Sequence, residues 1–304
     1  MLYSNAKINN HISEPVQDRI FHVINIAIML VLLFVFIWPL WFVVIASFSD
    51  PAQVQLGNVL FWPVNFSTAS YGEMFKRTEI WTSYLNTIYY TVVGTAVNLF
   101  ITVCAAYPLS RKDFMLKQPL MIFFLITMYF SGGLIPLYIL VTGLGLVNTR
   151  ACLIIAGALS VYNMLIVRSF FMNSIPASLQ EAAMLDGANS AQYLVKIALP
   201  LSKPVLAVIT LYYAIGHWND YYTALVYIQD RDLYPLQLVL KEILTSVKAQ
   251  STDTSNVLDA VEKVRIAQAL KYSTIIAATV PMLIIYPFIQ KYFVKGVMIG
   301  AVKG

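Results

Sequence analysis

The chain has 304 residues, of which 59% are hydrophobic and 12% charged, and its mean hydropathy is +0.70. Soluble globular proteins carry about 25% charged residues, so this composition excludes an ordinary cytosolic domain and a disordered chain and points to an integral membrane protein. The net charge of +5 makes no case for nucleic acid. Two cysteines and three scattered histidines give neither a disulfide scaffold nor a metal-ligand cluster, and no metal site is expected.

A membrane-crossing helix needs about 20 mostly apolar residues. After an N-terminal segment, 1–22, the first such stretch is 23–48. It is uncharged, too long for a signal-peptide core of roughly 7–15 residues, and carries Pro39 as a point of bending. The second, 80–109, is rich in Thr, Ser and Asn, including Asn86, Thr87, Thr91, Thr95 and Asn98. Such a helix packs on other helices or lines a cavity better than it faces lipid. The third, 119–141, contains Gly132, Gly133 and Pro136, a place for a hinge or a packed kink. The fourth is 151–171, the fifth 204–228, and the sixth 272–293, with Pro281 and Pro287 as bends. Loops of some size lie at 49–79, 173–203 and 229–271, the last with a short helix expected at 257–271. No period of 20–50 residues is visible, so a repeat array is excluded.

Six spans place both termini on one side. That side collects eleven basic and five acidic residues, a net of +6. The other is balanced, and Asp220 lies within the fifth span. The short turn Arg111-Lys112-Asp113 gives the clearer signal that the side of the termini is cytoplasmic.

Within 173–203, Ser178 followed by Glu181 has the spacing of a capping box. Gly187 suits a helix end, Ser190 can cap a second helix, and Pro200 marks that helix's end. Physically this is two short helices joined by a turn, which would also serve as an ordinary re-entry loop. Glu181-Ala182-Ala183, Asp186-Gly187-Ala188 and Leu199-Pro200 together, however, resemble the EAA loop of ABC importer permeases, in the carbohydrate branch. Ala105-Ala106-Tyr107 through Arg111, Trp218-Asn219-Asp220 and the last fifteen residues are similar to other parts of the same family. Residues 131–136 and 143–149, with the long loop after the fifth span, resemble its Gram-positive oligosaccharide/aldouronate members.

The resemblance implies an all-α integral membrane protein with six transmembrane helices, in the type I ABC importer permease architecture. It implies that Glu181, Ala182, Ala183, Asp186, Gly187 and Pro200 couple the chain to an ATPase. The tail 294–304, with Lys295, Gly296, Gly300, Lys303 and Gly304, would enter the interface between two ATPase copies. Partners implied are a second, non-identical permease subunit, two cytoplasmic ABC ATPases that bind ATP and Mg, and an extracellular or periplasmic sugar-binding protein. The location implied is the bacterial inner or plasma membrane, among its lipids. No cofactor is expected on this chain itself, which has no GxxxxGK[ST] phosphate loop and no Ser/His/Asp set, and therefore no expected enzymatic activity.

An acid inside an apolar span costs about 2.5–3.5 kcal/mol on insertion scales, so such residues usually face an interior. Trp218, Asn219, Asp220 and Tyr221, with Gly132 and Gly133, are therefore candidates for the substrate path. A buried polar knot between helices, or an interfacial aromatic belt, would account for the first four equally. Asp220 also leaves open an ion-coupled secondary transporter as an alternative function.

Overall fold

The computed structural model describes residues 16–250, 270–285 and 287. Outside them lie residues 1–15, most of the helix expected at 257–271, the end of the sixth span, and the tail residues Lys295, Gly296, Gly300, Lys303 and Gly304. Among the described residues there are helices and loops and no strand. They fall into two units, Met1–Thr68 and Ala69–Gly304.

In the first unit, α1 spans Val16–Ser47. It starts before the uncharged stretch, with Asp18 in the first turn, where a carboxylate suits the helix dipole. Pro39 is accommodated inside it. Its apolar window is only 6% buried, the profile of a surface suited to lipid or an apolar partner. The short α2, Pro51–Gln55, is fixed by Asp50, whose carboxylate accepts from the Ala52 N–H at 3.0 Å, and by proline at the first helical position.

The second unit is organised on α4, Thr78–Ser110, which follows α3, Ala69–Lys76. At about 1.5 Å per residue, its 33 residues exceed the thickness of a bilayer core. Next come α5, Lys117–Tyr129, and α6, Leu134–Gly143, which meet at 116°. The elbow between them contains Gly133 at φ +87°, open to a residue without a Cβ. The expected fourth span is likewise two helices, α7, Arg150–Ile155, and α8, Val161–Asn173. Each has its own cap: Thr149 Oγ1 accepts from Cys152 N–H and Ser160 Oγ from Asn163 N–H, both at 3.3 Å. The break is therefore written into the sequence at both helix starts.

Beyond α8 lie α9, Ala177–Leu185, and α10, Ser190–Tyr193. A π-helical stretch, Leu194–Ala198, then leads into α11, Leu199–Leu201. A π turn just ahead of Pro200 relieves the clash a proline makes with the preceding turn. After an 82° bend, α12 runs Lys203–Asn219. It is followed by α13, Tyr222–Tyr227, a 3₁₀ turn at Arg231–Leu233, α14, Leu236–Gln250, and α15, Leu270–Ile285.

Among the described residues, the third, fourth and fifth expected spans are each interrupted. Among the described residues two helices, α1 and α4, are long and apolar enough to cross a membrane, or up to four spans if each bent pair counts as one. The fifth expected span stops at Asp220, and α14 occupies part of what reads as a loop. The Leu, Val and Ile content that suggests a continuous span does not register the caps and glycines that interrupt it.

One buried cluster joins α4, α8, α9 and α12 through Ala106, Tyr107, Met164, Val167, Ala183 and Ile209. Ala106, Met164, Val167 and Ile209 are completely enclosed. Dense packing of this kind transmits displacement rather than absorbing it, so the α9–α10 ledge rests on a stiff base.

Candidate functional site

The ledge is built by two helix ends meeting at Gly187. Gly187 has φ +82°, and its N–H donates to Met184 O at 3.0 Å while Ala188 N–H reaches Ala183 O at 2.9 Å. These bonds satisfy carbonyls left over at the end of α9. The expected caps are both displaced. The cap position of α9 is Pro176, which has no side-chain bond to offer, so the Ser178–Glu181 box does not form. At α10 the cap is Asn189, one residue before Ser190. Its Oδ1 accepts from Gln192 N–H at 2.8 Å and its own N–H donates to Gln192 Oε1 at 3.0 Å, a reciprocal box.

Released from any cap, Glu181 lies exposed beside exposed Ala182, while Ala183 turns into the core. Glu181 and Asp186 have no ion-pair partner among the described residues. Leu185 is 89% exposed, more than a leucine without a partner warrants. The ledge is fastened to the end of α4. Arg111 donates to Gln180 Oε1, and its guanidinium lies 4.4 Å from the centre of the Tyr107 ring and 5.1 Å from that of Tyr193. Tyr107 Oη donates to Ser190 O at 3.1 Å. Sequence reading marks Arg111 for topology and misses this fastening; the aromatic residues four before it and within the next loop were the available signal.

The second candidate region is where α12 ends. Trp218 is buried and its Nε1–H donates to Ala278 O at 3.0 Å, so it ties α12 to α15. Asp220 is in extended conformation just past Asn219, and its Oδ1 accepts from Thr223 N–H at 3.0 Å, turning the chain into α13. Asn219 and Asp220 line a cavity of about 320 Å³, together with Asn98, His217, Tyr212 and the α7 end. Tyr221 faces elsewhere, with the Lys241 ammonium 4.7 Å from its ring centre. Neither Gly132 nor Gly133 lines the cavity. Of the six proposed path residues, two come together there.

His217 and its setting were not foreseen. A Cβ on Gly94 would stand 2.4 Å from His217 Nε2, so only glycine lets the ring lie against α4 at that point. Asn98 Nδ2 donates to His217 Nε2 at 3.3 Å. Asn98 is 3% exposed and its Oδ1 has no hydrogen-bond partner among the described residues; the same holds for Thr95 Oγ1. A lone histidine in an apolar run opposite a glycine in another run was the available clue.

No family model matches the chain. Curated relatives and solved structures do. It is 38% identical over 288 residues to the polygalacturonan/rhamnogalacturonan transport system permease protein YtcP of Bacillus subtilis, covering 95% of this chain and 100% of that one. The chain belongs to the carbohydrate ABC importer permeases. It is also 28% identical over 267 residues to the melibiose/raffinose/stachyose import permease protein MelC of Bacillus subtilis, covering 86% and 91%. One solved structure is a bacterial ABC transporter involved in the import of the acidic polysaccharide alginate. It matches with TM-score 0.84 and 32% identity over 92% of this chain and 99% of that one.

As a carbohydrate importer permease, the chain is a multi-pass membrane protein of a transport system, and the relatives it matches are transport permeases. The ion-coupled alternative is not favoured. Systems of this type comprise partner permease, ATPase and binding protein in general.

Proposed function

We propose that this permease forms half of an oligosaccharide path and receives the ATPase stroke through the ledge 173–203. The observation that supports this most directly is the ledge itself. An exposed Glu181, a bare Leu185 and a glycine hinge stand on a buried cluster that reaches α4, α8 and α12. A protein surface that approaches α9 can bury Leu185 and meet Glu181 with a cation or donor, and the enclosed core passes the displacement on.

In this reading the other half of the path is a second, non-identical permease, and two ABC ATPases bind ATP and Mg outside this chain. A binding protein delivers sugar from outside, both termini are cytoplasmic, and the tail through Lys295, Gly296, Gly300, Lys303 and Gly304 meets the ATPases. The relatives' names include acidic and neutral saccharides, so their substrates support a carbohydrate and leave the sugar to the site.

The test is the purified importer in liposomes, with Glu181→Lys or Gly187→Leu in this chain. Sugar uptake should fall about ten-fold or more, in Glu181→Lys because a charge-assisted contact is reversed and in Gly187→Leu because the turn at φ +82° disfavours a side chain, while the chain still inserts and assembles. Uptake at the unmodified rate in both variants would remove the ledge from the mechanism.

A further inference from the structure

We infer that the cavity between α4, α7 and α12 is a subsite for one sugar ring, held by its hydroxyl groups. This rests on the importer reading above and assigns a binding role to Asn98, His217 and Tyr212 in addition to Asn219 and Asp220.

Size comes first. Ligand pockets run from about 300 to 1,000 Å³, and about 320 Å³ is the small end of that range, suited to a single ring rather than a chain of them. The chemistry of the wall comes second. Its polar groups come from Asn98, Tyr212, His217, Asn219, Asp220 and Thr223, with Tyr213 already bonded to Thr102 and Ser160, and among the described residues neither lysine nor arginine lines it. Amide, imidazole, carboxylate and hydroxyl are groups that exchange hydrogen bonds with alcohols. With Asp220 present and neither lysine nor arginine on the wall among the described residues, the cavity is matched to hydroxyls rather than to the carboxylate of an acidic sugar. Tyr212, 39% exposed, offers an aromatic face to the apolar face of a ring.

The third observation is the unused hydrogen-bonding capacity. Asn98 spends one amide proton on His217, while its Oδ1 is enclosed and has no protein partner among the described residues. A buried carbonyl-type acceptor left so is costly, whereas Asn86, Thr87, Tyr90 and Thr102 on the same helix find protein partners. Gly94 adds to this, because the close approach of α12 at that glycine holds His217 against Asn98. A sugar hydroxyl donating to Asn98 after a small shift of the amide would meet the missing bond.

The test uses the complete importer, purified with this chain and reconstituted in liposomes, with raffinose and digalacturonate as the sugars loaded on its binding protein. Two variants are read by sugar carried per ATP hydrolysed. Asn98→Leu keeps the size and removes both polar atoms. Gly216→Leu puts bulk at the cavity wall, at a position where an added Cβ meets nothing within 4 Å, so it supplies a second variant that removes no polar group. Both should lower the sugar carried per ATP about ten-fold, Asn98→Leu by the loss of one to two good hydrogen bonds and Gly216→Leu by filling the space of the ring. ATP hydrolysis stimulated by the loaded binding protein should stay within about two-fold of its unmodified rate.

An unmodified sugar-to-ATP ratio in both variants overturns the subsite. So does a parallel loss of uptake and hydrolysis in Gly216→Leu, which would mean that the cavity region serves packing. If the unmodified complex carries neither sugar and its hydrolysis does not respond to the loaded binding protein, the importer reading fails first. That outcome is separate from a failure of the subsite.

Discussion

The first third of α4, from Ser83 to Tyr90, and its middle, from Thr91 to Asn98, carry the same kinds of side chain and use them differently. In the first stretch every polar group of Asn86 is engaged. Its Nδ2 donates to Asp232 O at 2.6 Å and to Tyr234 O at 3.2 Å, and its Oδ1 accepts from Arg150 Nη2 at 3.2 Å. Thr87 Oγ1 donates to Ser83 O at 3.0 Å and accepts from Leu236 N–H at 2.8 Å, and Tyr90 Oη donates to Leu233 O at 2.9 Å. All of this pins the 232–236 segment, whose backbone groups lie between elements and need partners. In the middle stretch Thr91 Oγ1, Thr95 Oγ1 and Asn98 Oδ1 have no hydrogen-bond partner among the described residues, and Asn98 borders the cavity. The first stretch is fastening; the second holds unused polar capacity, which at Asn98 stands beside the cavity.

Breaking the fastening should have the largest effect. Asn86→Leu strips two backbone carbonyls and a guanidinium of a shared partner, and each buried orphan costs about 1–3 kcal/mol. A loss of about 3 kcal/mol is expected, read as a clear fall in the thermal midpoint of the detergent-purified chain and as new proteolytic cleavage near 230–236. An unchanged midpoint would mean that this bonded network does not hold the segment.

Gly94→Ala comes next and probes the border between the two regions. The added methyl would overlap His217 Nε2, and overpacking of this sort costs about 1–3 kcal/mol. In part this is offset, since alanine favours helix over glycine by about 1 kcal/mol. The net expectation is a loss of about 1 kcal/mol and a displaced imidazole, seen as a shift of the His217 ring resonances. A variant with unmoved resonances and an intact midpoint would show that the ring does not need the glycine.

How far the sequence discloses this division can be argued from the same residues. Composition and the apolar runs suffice for a helical membrane protein, and Glu181-Ala182-Ala183 with Gly187 locates the ledge. The turn glycine is legible because only its φ requirement matters. The caps are not, because Asn189 and Ser190 are equally good candidates by type and one residue of register decides between them. The break at Asp220 is hidden by apolar neighbours on both sides. On α4, Asn86 and Asn98 look alike in the sequence, and helix–helix or sugar contacts are natural expectations for both. Asn86 instead bonds to a loop 146 residues further along, and no local pattern reports a partner at that distance.

The smallest effect gives the sharpest comparison, because the same chemical change is made twice on one helix. Thr87→Val and Thr95→Val both replace a hydroxyl by a methyl at nearly constant volume, on residues that are 1% and 7% exposed. At Thr87 the change deprives Leu236 N–H of its acceptor, and hydrogen bonds of this kind in membrane proteins are worth about 0.6 kcal/mol, up to 1.7. A loss of about 1 kcal/mol is expected there. At Thr95 the hydroxyl has no hydrogen-bond partner among the described residues, so removing it should leave stability unchanged or raise it slightly, since an unpaired buried polar group is a cost the methyl does not carry. Parallel thermal midpoints of the two variants decide the matter. Equal losses at both positions would mean that Thr95 already has a bonding partner in the membrane, and the middle of α4 would then be as fully engaged as its first third.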